Sequence, residues 1–350
     1  MYNGKRISLD EISKKIGISR STIYKVVNNK EGVREITRQR VEKALKKYNY
    51  VPNYSARNLA KHKEYRIGYV GMNHSPNTYF FDITKAAMLQ AQADYADSGL
   101  NLYISETEFD HPEQQVAEVE KLFKMGIRDF IICVTDVDVL RDTIKKLRSN
   151  SCNVIFHNRY SDEANIIYFG VDYYQSGVVL GELIGKLMPE GGKIALVLNA
   201  DVISDQYIER RYRGFMDQIR NFPLLKIEKV YVGVRTDDDV KKTAKEIIQS
   251  GEITGIVDVS YRTDVLAATL EKAGKGKEMT LVGFDVYKEV IPYIKKSVID
   301  AVVGQDLYGQ AYQAVEGLFE KMCYGASLRK RIFNSRIDII MSSNVDGFDY

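Results

Sequence analysis

Several polar residues of this 350-residue chain fall where an open parallel sheet does its chemistry, just past the carboxyl ends of strand-like runs. Asn158 and Arg159 follow Val154-Ile155-Phe156, Asp285 ends Leu281-Val282-Gly283-Phe284, and Gln305 follows Ala301-Val302-Val303. Arg211 lies in a helical stretch opening after Leu198, and Asn77, Tyr79 and Phe80 follow the first strand, after Met72. A carboxylate can accept from two hydroxyls, guanidinia donate forked bonds, amides do both, and an aromatic ring stacks on C–H faces. Vicinal hydroxyls around an apolar ring are what such a set fits, so a small sugar or polyol is the expected ligand. Each residue also has a plainer use: Asp285 as a helix cap, Arg211 as a surface ion pair among Glu209, Arg210 and Arg213, Phe80 as core.

Catalytic and cofactor chemistries find less support. Gly68-Tyr69-Val70-Gly71 is not a GxGxxG turn and no P-loop is present, so a nucleotide would lack its phosphate cradle. The four histidines, His62, His74, His111 and His157, have no metal-ligand spacing, and Cys133, Cys152 and Cys323 suggest neither a disulfide framework nor a zinc site. No enzyme activity, cofactor or metal is expected. With no apolar signal region and no long apolar span, no membrane association is expected either, and the cytoplasm, at the nucleoid, is the expected compartment.

Strand-like and helical stretches alternate from Tyr65 onward. Strands are expected at Ile67–Met72, Leu100–Ser105, Phe130–Val134, Val154–Phe156, Ile194–Leu198, Gly255–Val259, Met279–Gly283 and Ala301–Val303. Amphipathic helices are expected at Pro112–Lys124, Val139–Leu147, Ser176–Leu187, Val240–Gln249 and Gln310–Met322. Alternation of this kind makes parallel sheets covered by helices. There are too many strands for one sheet, so the fold class is α/β with two lobes. One lobe takes about 64–172 and 304–334, the other about 173–303 and 335–350, with the chain crossing between them three times.

Ahead of this body the texture is different. Ser8 and Glu11 form a capping box that starts a helix at Leu9, Gly17 ends it, and Ser19 caps a second helix. Ile12, Ile16, Ile23, Val26 and Val27 lie on facing apolar stripes, leaving Arg20, Ser21, Thr22 and Lys25 outside. A third helix from about Ile36 to Tyr48 closes the core with Val41, Leu45 and Tyr48. This is a helix-turn-helix with a polar second helix free for a major groove. Residues 1–63 hold 16 Lys and Arg against 5 Asp and Glu, a net of +11, whereas the whole chain is +3. A basic head on an acidic body is the charge pattern of a phosphate-binding module joined to an ordinary soluble domain. Pro52 forces Val51 extended and ends the head, and 53–63 reads as a linker or a short helix marginal by itself.

The run Leu9 to Asn28, the segment Tyr48-Asn49-Tyr50-Val51-Pro52-Asn53, the stretch Ala56-Arg57-Asn58-Leu59-Ala60 and the strand Ile67-Gly68-Tyr69-Val70 together resemble the LacI/GalR family of bacterial transcription regulators. In the body, Asn158-Arg159, Arg211 with Gly214-Phe215, Val282-Gly283-Phe284-Asp285 and Val303-Gly304-Gln305 resemble the sugar-contacting signatures of ribose-type periplasmic binding proteins. The resemblance implies a homodimer whose heads (1–52) read half-sites of a pseudo-palindromic double-stranded operator, with a hinge (53–63) and a sugar-binding, dimerising body (64–350). It places DNA contacts at Ser8, Ser19, Arg20, Ser21, Thr22, Lys25 and Asn28 in the head and at Asn53, Ala56, Arg57, Leu59 and Ala60 in the hinge. Arg20, Ser21 and Lys25 fall on the base-reading side, and Leu59 where a leucine wedges into the minor groove. Arg34, Tyr54 and Asn158 depart from the family pattern. The resemblance implies a sugar-responsive regulator, most simply a repressor of carbohydrate genes. The rivals are a global regulator that binds a phosphorylated partner protein and a transport sugar-binding protein.

Overall fold

The computed structural model describes residues 9–27, 32–48, 64–73, 79–159, 166–202, 205–325, 328 and 332–348. The expectations for Ser8, Asn28, Asn53, Ala56, Arg57, Leu59, Ala60 and Asn77 lie outside the described residues.

Helices α1 (Leu9–Ile16), α2 (Arg20–Val27) and α3 (Glu35–Lys47) form the head. Gly17, at φ 66°, makes the turn between the first two, where a Cβ would be strained. The Ser19 hydroxyl accepts from the Thr22 amide at 3.2 Å, satisfying one of the orphan N–H groups of α2. Ile12, Ile23, Val26, Val41 and Ala44 form the buried core, with Leu45 and Tyr48 packed at its margin.

The body is two six-stranded sheets. The first contains β1 (Tyr65–Asn73), β2 (Leu100–Glu108), β3 (Asp129–Ile132), β4 (Asn153–His157) and β5 (Ile167–Gly170). The second contains β6 (Gly192–Leu198), β7 (Leu225–Tyr231), β8 (Ile253–Val259), β9 (Thr280–Phe284) and β10 (Ala301–Gly304). Two short strands near the end go one to each sheet: β11 (Ile332–Asn334) extends the first and β12 (Asp338–Ile340) the second. The orders are β11-β5-β4-β3-β1-β2 and β12-β10-β9-β8-β6-β7. The sheets are parallel as expected except at one edge, where β12 runs antiparallel to β10. A strand returning directly after a crossing can close an edge without a covering helix.

Helices α4 (Tyr79–Asp94), α5 (Pro112–Lys124) and α6 (Val137–Ser149) cover the first sheet together with α12 (Leu307–Tyr324). Helices α7 (Tyr173–Leu187), α8 (Gln206–Ile219), α9 (Asp237–Ser250), α10 (Thr263–Lys272) and α11 (Ile291–Lys295) cover the second. Each sheet is thus buried on both faces, which is why its inner strands are continuous apolar runs. The chain passes from one lobe to the other between β5 and α7, between β10 and α12, and between β11 and β12.

A candidate ligand-binding cleft and a candidate nucleic-acid interface

A cleft of about 340 Å³ lies between the two lobes, lined by residues that follow the carboxyl ends of strands in both sheets. Asp285, directly after β9, is the buried carboxylate of its floor. Gln305 donates to both of its oxygens, at 3.0 and 2.9 Å, and Tyr79 of the opposite lobe donates to one at 3.2 Å. Burial pushes the Asp285 carboxyl above its usual range, against the opposing pull of Gln305 and Arg211. Tyr79 also stacks on Tyr287, ring centroids 4.2 Å apart and planes 8° from parallel, so one aromatic pair bridges the lobes.

Arg211 stands one layer behind the lining at 2 % exposure, so the surface ion-pair alternative does not hold. Its guanidinium donates to Ser176 Oγ (3.0 Å), the Tyr261 hydroxyl (2.5 Å) and Gln305 Oε1 (2.8 Å), and it lies 3.9 Å from the centre of the Phe284 ring. Arg211 therefore orients Gln305, which in turn holds Asp285. That reach depends on two glycines where α7 meets α8. A Cβ on Gly177 would lie 1.9 Å from the Arg211 carbonyl oxygen, and one on Gly214 would lie 2.0 Å from that of Tyr174.

Arg159 lines the cleft, pairs with Asp205 across the lobes at 3.3 Å and lies 4.0 Å over the Tyr207 ring. Asn158 lines it too, but its side chain is engaged behind the wall: Nδ2 donates to Gln310 at 3.3 Å and Oδ1 accepts from the Tyr173 hydroxyl at 3.3 Å. Gln310 donates to the Gln305 carbonyl (2.7 Å) and to Ser335 Oγ (3.1 Å). A buried polar knot thus ties all three crossings together beside the cleft. Asn158, Tyr261, Asp285 and Asp306 all hold left-handed backbone, φ 53 to 63°, which costs a non-glycine residue free energy and gathers here at strand ends around the cleft and its hinge.

In the head, Arg20, Ser21 and Lys25 are exposed on α2 and Thr22 is half-buried, while Ile23 and Val26 point into the core. Ser19 is occupied as the cap of α2. The polar face of this helix is exposed.

The comparisons with known proteins agree with both halves of this geometry. Residues 67–325 match the periplasmic binding protein domain family, and residues 8–53 match the family of bacterial regulatory proteins, lacI family. The chain belongs to the LacI family of bacterial regulatory proteins. It is similar to the sucrose operon repressor of Lactococcus lactis subsp. lactis, 24% identical over 80% of this chain and 83% of the relative. In structure its body is similar to a solute-binding protein from Burkholderia graminis in complex with D-arabinose, with a TM-score of 0.73 at 15% identity over 82% of this chain and 99% of that one. A solute-binding protein from Bacillus halodurans with bound myo-inositol gives 0.70 at 20% identity, over 81% and 97%.

As a LacI-family member the chain is a transcription regulator with a helix-turn-helix DNA-binding domain. Among the described residues no helix is long and apolar enough to cross a membrane, and no group of side chains could hold a metal ion. Of the residues expected at the ligand site, Tyr79, Phe80, Asn158, Arg159, Asp285 and Gln305 line one cleft. Sequence reasoning missed Asn73, Asn199, Asp205, Tyr207, Tyr261 and Arg262, which line the same cleft. Asn73, Asn199, Tyr261 and Arg262 end or follow β1, β6 and β8, so the strand-end rule reaches them too.

Proposed function

We propose that this regulator represses carbohydrate genes as a cytoplasmic homodimer. Its heads bind an operator, and a small neutral sugar or polyol in the interlobe cleft alters that binding. The observation that carries the reading is the buried Asp285–Gln305–Arg211 chain at a cleft between lobes, on a body headed by a helix-turn-helix. A carboxylate held by an amide and backed by a guanidinium suits paired hydroxyls. Ligand contacts from both lobes favour their closed arrangement, which changes the spacing of the two hinge segments (53–63) and with it the wedging of Leu59. A ligand shifts such an equilibrium only by its difference in affinity for the two states, typically about 1–3 kcal/mol of coupling.

The test is operator affinity with and without sugar, after selecting the operator from random duplexes with the purified protein. Asp285→Ala is expected to lose the sugar response while keeping sugar-free operator affinity. A variant that still responds fully would remove Asp285 from the site, and failure to select any duplex would end the operator reading.

A further inference from the structure

Three helices of the second lobe start at the cleft wall. Helix α8 begins after Asp205, α9 after Thr236 and α10 after Arg262, and all three of these capping residues line the cleft. A helix N-terminus carries about half a positive charge and N–H groups without intrahelical partners, so three at one wall, beside Arg159 and Arg262, would draw a phosphate or carboxylate. The chain meets each of them with a carboxylate of its own. Asp205 accepts from the Tyr207 and Ile208 amides of α8, at 2.8 and 3.1 Å, and its other oxygen pairs with Arg159 at 3.3 Å. In the first turn of α9, Asp237 pairs with Arg262 at 2.7 Å. In the first turn of α10, Asp264 lies 3.6 Å from the same guanidinium and accepts from the Tyr287 hydroxyl at 2.9 Å.

The other cations and the unpartnered atoms point the same way. Arg211 spends its guanidinium on three protein acceptors, and Arg235 is 58 % exposed and 3.9 Å from Asp110, where salt screens it. Four buried atoms of lining residues have no hydrogen-bond partner: two acceptors, Asn73 Oδ1 and Asn199 Oδ1, and two donors, Arg159 Nε and Arg262 Nε. A hydroxyl both donates and accepts and can meet all four, whereas an ionised phosphate or carboxylate can meet only the donors.

We infer that Asp205 and Asp237 set the specificity of the cleft: they occupy the helix ends and guanidinia that would hold an anion, and so admit neutral sugars while excluding sugar phosphates and sugar acids. This rests on the sugar reading above and deepens it. The test is calorimetric titration of the full chain with inorganic phosphate and with glucose 6-phosphate at fixed ionic strength, and with a panel of neutral sugars alongside. The parent chain should bind neither phosphate. Asp205→Asn keeps a side-chain oxygen to cap α8. It and Asp237→Asn should each bind inorganic phosphate at least about tenfold more tightly than the parent's upper limit, because a repelling charge is gone and a guanidinium is freed. Adding Arg159→Gln to the first and Arg262→Gln to the second should abolish the gain, which puts the anion on the freed guanidinium. Binding of glucose 6-phosphate by the parent chain overturns the inference and leaves the sugar reading standing. No gain of phosphate binding in either variant overturns the role of the two aspartates. If no neutral sugar binds the parent chain, the sugar reading fails, while the gain of phosphate binding still decides the role of Asp205 and Asp237.

Discussion

His157 is a residue whose chemistry is strongly altered by its surroundings. It is fully buried at the end of β4, its ring 6.0 Å from that of Phe80, with Nδ1 3.5 Å from the Tyr69 hydroxyl, and burial pushes its pKa down to about 3. The unfolded chain binds its proton near pH 6.5, so the folded state is favoured in full above that pH and loses stability as the pH falls from about 6.5 towards 3. The loss is roughly 1.4 kcal/mol per pH unit in that window. Urea unfolding at pH 7 and pH 5 should show a smaller drop for His157→Phe than for the parent chain, and an equal drop would mean the imidazole charges without unfolding. In the head, Arg20→Ala should relax base preference, whereas Lys43→Ala on α3 should lower affinity for all duplexes alike. When affinity is followed against salt, removing a side chain that neutralises one phosphate should flatten the log–log slope by about 0.9. A uniform loss of affinity for Arg20→Ala would remove it from base reading. Single residue types also limited what could be read in advance. Asp285 announces charge at the end of an apolar run and Arg211 is hidden among Glu209, Arg210 and Arg213, while Asn73 and Asn199 look like any turn asparagine until the strand ends are gathered.

Among the elements, the packing of α7 on α8 decides how the site is built. Because Gly177 and Gly214 carry no side chain, the two helix backbones meet, and Arg211 reaches inward to Ser176 and Gln305 instead of outward. Gly177→Ala inserts a methyl where the Arg211 carbonyl stands, and relieving that overlap costs on the order of 1–3 kcal/mol. A thermal melt should fall by several degrees and sugar binding should weaken as Gln305 loses its support. A melt and an affinity both unchanged would show that the helices separate freely. The strands legible in advance are the continuous apolar runs, β1, β3, β4, β6, β8, β9 and β10, with β2 beside them. β7 escaped because it is an edge strand with alternating charge, Leu225–Tyr231, and β11 and β12 because three residues leave no period to detect. Helix α4 is buried on several sides, with Phe81, Ile83, Thr84, Ala87, Met88 and Ala91 all inside, so its polar face is too narrow to announce a helix.

For the whole molecule, the three crossings are what join the two lobes that form the cleft. Gln310 touches two crossings directly, through Gln305 and Ser335, reaches the third through Asn158, whose Oδ1 accepts from the Tyr173 hydroxyl, and lines none of the cleft. Gln310→Leu removes those bonds while keeping bulk and should change how strongly sugar alters operator affinity, by about 0.5–2 kcal/mol, with sugar affinity less affected. Equal coupling energies in parent and variant would show that the crossings move independently of this knot.

The same three crossings govern the order in which the chain can fold as it is made. The first lobe begins at β1 but is finished only by α12 and β11, after nearly all of the second lobe has been synthesised. Ala311, Ala314, Val315, Leu318 and Phe319 of α12 are buried against Tyr65, Ile67 and Tyr69 of β1, so one face of the first sheet is covered only in part, by α4, until they emerge. The head, closed by packing within 9–48, can form early on the ribosome. A nascent chain therefore carries a folded DNA-binding module well before the two lobes that frame the cleft are complete, and chains that stop short of α12 would leave heads without a finished body.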